Sequence, residues 1–264
     1  MLNSSVGAFQ SSFGHPIIDA HCHYGAGDGF TGPWDTRAPL KRYLMRAEHV
    51  GITHVALIPA LARNYQLGNR QVAELVSNYP ERFMGFVSID PLDNPHTIEM
   101  TITSYVGNRG FVGIKIHHYN GRITRAVCEA ALSHHVPILW DNGDDPYAIE
   151  LAASEYPDID FIIPHLGSFS DNWRAQRACI DIMHRQPNVY ADSSGVRRFD
   201  LLEEACLGTG ALKLLFGSDG PWLNPAVEIE KIYALGLSAE HLQMVLGGNF
   251  LGLLQKRGRA ILNH

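Results

Sequence analysis

Two histidines separated by one residue, His21 and His23, follow the apolar run Ile17-Ile18-Asp19-Ala20. Side chains alternate faces along an extended segment, so both imidazoles project the same way and can bind one metal ion. The intervening Cys22 points to the other face, where a free cysteine behaves as a small hydrophobe. Near the far end of the chain, Leu214-Leu215-Phe216-Gly217-Ser218 leads into Asp219 and then Gly220-Pro221. Asp-Gly often serves only a turn. Paired with the histidine motif, however, an acid at the end of a last barrel strand meets ligands at the end of the first, because those strands are neighbours. A third apolar run, Phe161-Ile162-Ile163-Pro164, ends on His165, a residue able to take or give a proton near neutral pH. This set predicts a metal centre at His21, His23 and Asp219, with His165 as a proton-handling group beside it.

A fourth run, Phe111–His117, places Lys115 and His117 on one face and Val112, Ile114 and Ile116 on the other, the second face being expected against outer helices. Lys115 then points inward, where a buried ammonium needs a partner: Asp141, or a carboxylate of the substrate. An ion pair inside the barrel is the plainer of the two. His117, nearer the mouth, is assigned to substrate contact, whereas His118 is expected to face the helix layer or solvent. Arg63, Arg197 and Arg198 follow other strand ends and are candidate anion clamps, although surface charge is their ordinary role.

These residues sit on a regular alternation. Strands are predicted over Ile17–Ala20, Ile52–Ile58, Phe83–Ile89, Phe111–His117, Pro137–Asp141, Asp160–Pro164, Asn188–Asp192 and Lys213–Ser218. Helical periodicity covers Leu40–Val50, Asn69–Asn78, Pro95–Val106, Thr124–His134, Tyr147–Tyr156, Asn172–Arg185, Leu201–Leu207 and Pro225–Ala234. An open sheet would alternate likewise. A closed (β/α)₈ TIM barrel is favoured because no glycine-rich phosphate loop follows the first strand, and because polar residues end several strands instead of gathering at one switch point. Ala239–Leu246 and Asn249–Gln255 read as extra C-terminal helix that closes or flanks the barrel.

The 264 residues, 45% hydrophobic and 18% charged, suit one α/β domain over 1–264, with residues 1–15 as a polar lead-in. A net charge of -6 offers no footprint for nucleic acid, and no stretch has the length and apolarity of a membrane span. Cys22, Cys128, Cys179 and Cys206 are too scattered for a disulfide framework, which fits a reducing, cytoplasmic setting. The expected partner is a small-molecule substrate, with a homodimer as the default assembly.

On Ile18-Asp19-Ala20-His21-Cys22-His23, Gly110–His117, Pro164-His165-Leu166-Gly167, Asn188–Gly195, Phe216-Gly217-Ser218-Asp219 and Leu246-Gly247-Gly248-Asn249, the sequence resembles the amidohydrolase-related family, in the branch that also holds metal-dependent decarboxylases. The resemblance covers nearly the whole chain. It implies that His21 and His23 ligate the metal, that Asp219 ligates it or takes the proton of its bound water, and that His165 acts beside it. It also implies a histidine at the end of strand five, where this chain has Asp141 in Val136–Gly143. Asp141 is therefore expected as a further ligand. The alternatives are that it pairs with Lys115, or that the metal is weakly held or absent. Binuclear relatives suggest a third fate for Lys115, carbamylation into a metal bridge. One divalent ion is expected, zinc first, with Mn²⁺ or Mg²⁺ favoured by added carboxylate.

Metal-activated water makes a hydrolase of a small amide, ester or lactone the first functional expectation. A metal-dependent decarboxylase of a small carboxylate is the alternative, supported by Lys115 and the arginines. The third reading is a metal-free barrel acting as a binding protein.

Overall fold

The computed structural model describes residues 15–30, 32 and 37–256, so the lead-in expected over 1–15 lies, but for His15, outside the described residues. The strands are β1 (Ile17–Ala26), β2 (Arg37–Ala38), β3 (Ile52–Pro59), β4 (Phe83–Ser88), β5 (Gly113–His117), β6 (Ile138–Asp141), β7 (Phe161–Ile163), β8 (Val189–Asp192) and β9 (Leu214–Leu215). They form one sheet in the order β2-β1-β3-β4-β5-β6-β7-β8-β9, parallel throughout except that short β2 runs antiparallel to the end of β1. Beyond β9 the chain returns to β1. Ala20 N–H donates to Phe216 O at 2.9 Å, Asp219 N–H to His21 O at 2.8 Å and His23 N–H to Gly220 O at 2.6 Å. These bonds close the eight parallel strands into the (β/α)₈ barrel.

Around it lie α1 (Leu40–His49), α2 (Gln66–Asn78), α3 (Pro95–Ile102), α4 (Arg125–His134), α5 (Pro146–Glu155), α6 (Trp173–Arg185), α7 (Phe199–Ala205), α8 (Pro225–Ala234), α9 (Ala239–Gln243) and α10 (Asn249–Gln255). Asn94, Asp145, Asn172, Asn224 and Ser238 cap helices with side-chain oxygens, and proline opens α3, α5 and α8. No helix among the described residues is long and apolar enough to cross a membrane.

Two apolar layers result. Outward residues such as Val55, Leu57, Ile114, Ile116 and Trp140 pack under the helices, while Ile18, Ala56, Met84, Phe86, Leu139 and Leu215 fill the barrel. Phe250, Leu253 and Leu254 of α10 join that interior, so the extra C-terminal helix plugs the barrel instead of flanking it. Val112, expected on the outer face with Ile114, belongs to the interior group because pairing begins only at Gly113, where the missing side chain admits the Phe86 ring.

The first strand departs most instructively from the expectation. It runs past His23 to Ala26 and carries a bulge: between the pairs Asp19–Val55 and Cys22–Leu57, β1 takes three steps to two on β3. Ile18 and Ala20 face inward, so strict alternation would turn His21 outward. The bulge resets the phase and brings His21 and His23 to the interior, a common use of bulges beside active sites. Strands β4 to β9 are each shorter than expected by one residue or more, β7 and β9 with a visible cause. β7 stops before Pro164, which has no N–H to give the ladder. The Phe216–Ser218 segment leaves β8 to reach β1.

Candidate active site

At the carboxyl ends of the strands a cavity of about 450 Å³ is lined by His21, His23, Lys115, His117, Asp141, His165 and Asp219, with Trp222 and Phe169 among its walls. The polar residues expected at the rim are present except the three arginines, Arg63, Arg197 and Arg198. Arg63 lines a neighbouring hollow, its guanidinium 5.1 Å from the Phe30 ring. Arg197 pairs with Asp171 and Arg198 with Asp200, and neither lines the cavity.

His21 Nε2 and His23 Nε2 lie 3.2 Å apart, and Asp219 Oδ1 is 3.2 Å from His23 Nε2 and 3.6 Å from His21 Nε2. Three donors around one ion at 2.0–2.2 Å in tetrahedral directions should stand about 3.4 Å from one another. The far nitrogens agree. His23 Nδ1 donates to Pro59 O at 3.2 Å, and a carbonyl can only accept, so Nε2 is left for a ligand. His21 Nδ1 lies 2.9 Å from Asp192 Oδ2. Metal-binding histidines are characteristically oriented in this way by a carbonyl or carboxylate on the other nitrogen. Burial pushes the His21 imidazole down to about 4 despite nearby Asp192 and Asp219, which keeps it in the neutral, ligating form. For Asp219, burial pulls upward, but the bond to His23 and the nearness of His21 and His165 hold the carboxyl below its ordinary range. The donor set fits a divalent ion.

His165 reaches the site through backbone that only a sharp turn supplies: His165, Leu166 and Gly167 take φ of 59°, 50° and 88°. Its Nδ1 donates to Ser194 O at 2.7 Å, which leaves Nε2 as the free nitrogen, and its donor atoms fall within 4.8 Å of those of His21 and Asp219. One residue without an assigned role in the sequence organises both histidines. Fully buried Asp192 accepts from His21 Nδ1, from His165 N at 3.1 Å and from Ser194 N at 3.0 Å. Burial opposes its charge, but His21 outweighs that and holds the carboxyl low. An acid closing an apolar strand is the same signal that marked Asp219. Asp19 likewise ties β1 to the closing segment, accepting from Tyr43 OH at 2.5 Å and Ser218 N at 2.9 Å; burial raises it to about 7.

Lys115 is inside as expected, 3% exposed, and burial lowers its pKa despite Asp141, Asp192 and Asp219. Its ammonium makes no direct hydrogen bond or ion pair with any described residue, so the contact pair with Asp141 is not formed, although Asp141, Asp192 and Asp219 attract it from farther off. Asp141 instead turns its Oδ2 to His117 Nε2 at 3.1 Å and His118 Nδ1 at 3.0 Å, while Oδ1 accepts from Gly143 N at 3.2 Å. Its carboxylate thus belongs to a second cluster and not to the group of His21, His165 and Asp219. His118 is exposed to solvent, as expected, and also lines the cavity because the strand ends at His117 and the chain turns there.

The sequence matches the amidohydrolase family model over residues 18–249. No curated protein matches significantly by sequence. Among solved structures, 2,6-dihydroxybenzoate decarboxylase from Rhizobium superposes with a TM-score of 0.73 at 16% identity, covering 92% of this chain and 100% of that one. A 5-carboxyvanillate decarboxylase from Novosphingobium aromaticivorans, complexed with manganese, gives 0.69 at 13% identity over 95% and 100%. A probable 2-pyrone-4,6-dicarboxylic acid hydrolase from Acinetobacter baumannii gives 0.68 at 13% over 90% and 99%. At such identities the likeness concerns the fold, which carries both chemistries. With a family match spanning the barrel from its first strand to its plugging helix, the chain belongs to the amidohydrolase family.

Proposed function

We propose that the protein is a metal-dependent decarboxylase of a small carboxylate, with one Zn²⁺ or Mn²⁺ ion held by His21, His23 and Asp219. The observation that carries this reading over the hydrolase is Lys115, a buried ammonium with no carboxylate in contact with it, on the cavity that holds the donor cluster. An uncompensated buried charge is costly, and a decarboxylase substrate always brings the missing carboxylate. A neutral amide or ester would leave Lys115 alone. The two decarboxylases among the structural neighbours support the same reading.

When bound, the ion supplies Lewis-acid pull on a substrate oxygen. Lys115 orients the carboxylate that departs, and Trp222 and Phe169 flank the substrate. As the carbon–carbon bond breaks, its electron pair stays on the substrate carbon while CO₂ leaves, and that carbon takes the proton that His165 Nε2 has first picked up from solvent, which returns His165 to its neutral Nδ1–H form. Asp192 and Ser194 are positioning residues that fix the His21 and His165 rings.

Protein loaded with Zn²⁺ or Mn²⁺ should release CO₂ from at least one member of a panel of hydroxybenzoates and other small carboxylates. The same preparation should release no acid from lactones, esters or amides. Acid release from that second panel, with no CO₂ from the first, would return the hydrolase reading.

A further inference from the structure

The cavity holds a second convergence of nitrogen and oxygen donors. β5 ends at His117 and the chain bends at once, so the rings of His117 and His118 lie side by side, centroids 4.7 Å apart and planes within 30°. Asp141, at the end of β6, is in register with His117 and meets one nitrogen of each ring with Oδ2. Tyr119 packs its ring against both, at 5.1 and 4.1 Å, and restrains their planes. We infer that His117 Nε2, His118 Nδ1 and Asp141 Oδ2 form a second divalent-cation site, selective for Zn²⁺ or a similar nitrogen-seeking ion and separate from the His21–His23–Asp219 centre.

Spacing is the first argument. Oxygen-to-nitrogen edges of 3.0 and 3.1 Å suit donors gathered on an ion about 2.0–2.2 Å from each. Ligand type is the second. Two imidazole nitrogens and one carboxylate oxygen are a donor set that zinc takes in catalytic sites. Access is the third. The His118 side chain is 37% exposed, so an ion can enter from solvent, and three protein donors leave a position open to the cavity, as in catalytic and not structural zinc sites. Lys115 opposes a second cation nearby, which makes this the weaker of the two sites.

The site has a spectroscopic signature. Without an ion, Tyr119 N–H meets His117 Nδ1 at 3.3 Å, so the ring proton sits on Nε2 and faces Asp141. An ion at Nε2 transfers that proton to Nδ1 and opens the Tyr119 contact, which lies at the long limit for a hydrogen bond and costs little.

Equilibrium dialysis of the full chain against Zn²⁺, with elemental analysis, tests this whatever the reaction proves to be. Two equivalents are expected in the wild type, one in His118→Ala, one in Asp141→Asn, one in His23→Ala, and none when His118→Ala and His23→Ala are combined. Nitrogen-15 NMR should show His117 changing tautomer with the second equivalent. A single equivalent in the wild type, undiminished by His118→Ala, overturns the inference, as does a wild type that binds no Zn²⁺. A single equivalent lost in His118→Ala but kept in His23→Ala upholds it and overturns the placement of an ion at His21, His23 and Asp219.

Discussion

Lys115 shows how a single side chain can be costly to the fold and useful to the reaction. Its stem is packed into the barrel and its ammonium touches no carboxylate among the described residues, with Asp141, Asp192 and Asp219 acting on it only from beyond contact. Lys115→Met keeps most of the volume and removes the charge, so it should stabilise the protein by about 1 kcal/mol, or roughly 2–4 °C in Tm for a chain of this size. The same change should lower kcat/KM for the carboxylate substrate about 10²-fold, chiefly through KM, with metal content unchanged. Melting curves and steady-state kinetics on the one variant check both halves; an unaltered KM would remove Lys115 from substrate binding. At this scale the chemistry-bearing residue types were legible early: His21, His23, Asp219 and His165 stand at the ends of apolar runs. Asp192 escaped notice because its role is to hold other residues, and nothing in a linear motif says which histidine an acid will meet.

Among the elements, β1 and α10 decide the site from opposite ends of the barrel. The bulge in β1 aims both histidines inward, and α10 seals the barrel beneath them with Phe250, whose ring centroid lies 6.2 Å from that of Phe86. Phe250→Ala should cost about 3–5 kcal/mol, because it removes a fully buried ring and opens a cavity in a rigid interior. A shift of the urea midpoint corresponding to less than about 1 kcal/mol would show that α10 is not part of the core. The helix boundaries were close to those expected, since periodicity and caps are local signals. Bulges are not local signals: an extra residue in β1 is defined only by its partner β3.

For the molecule as a whole, closure places ionisable groups in a dry interior, with consequences for acid stability. Burial lowers the pKa of His21 to about 4 and of His117 to about 3, and lowers His54 as well. In the unfolded chain these rings titrate near 6.5. Between those values the three rings bind more protons unfolded than folded; Asp19, raised to about 7, opposes them as a single group, so stability still falls as pH drops below about 6.5 toward the folded pKa values of the rings. Urea unfolding of metal-free protein should therefore show a lower midpoint at pH 5 than at pH 7. His54→Gln, which lies away from the cavity, should reduce that difference in part. A midpoint independent of pH over this range would contradict the lowered pKa values of the three rings.

Sequence alone determined the class of fold, the eight strand–helix units and the residue types at the rim. Those follow from side-chain periodicity, turn chemistry and local capping, together with the resemblance carried by short motifs. Tertiary structure decided the partners. Asp141 was legible as a polar residue at a strand end beside the metal motif, yet which groups share its charge depended on where β5 stops and how the chain turns after His117. Lys115 could be placed inside from its face of the strand, but its lack of a contacting carboxylate is a fact about every neighbour at once. Distances between residues far apart in sequence are set by closure, bulges and register, and these are properties of paired strands that no single segment contains.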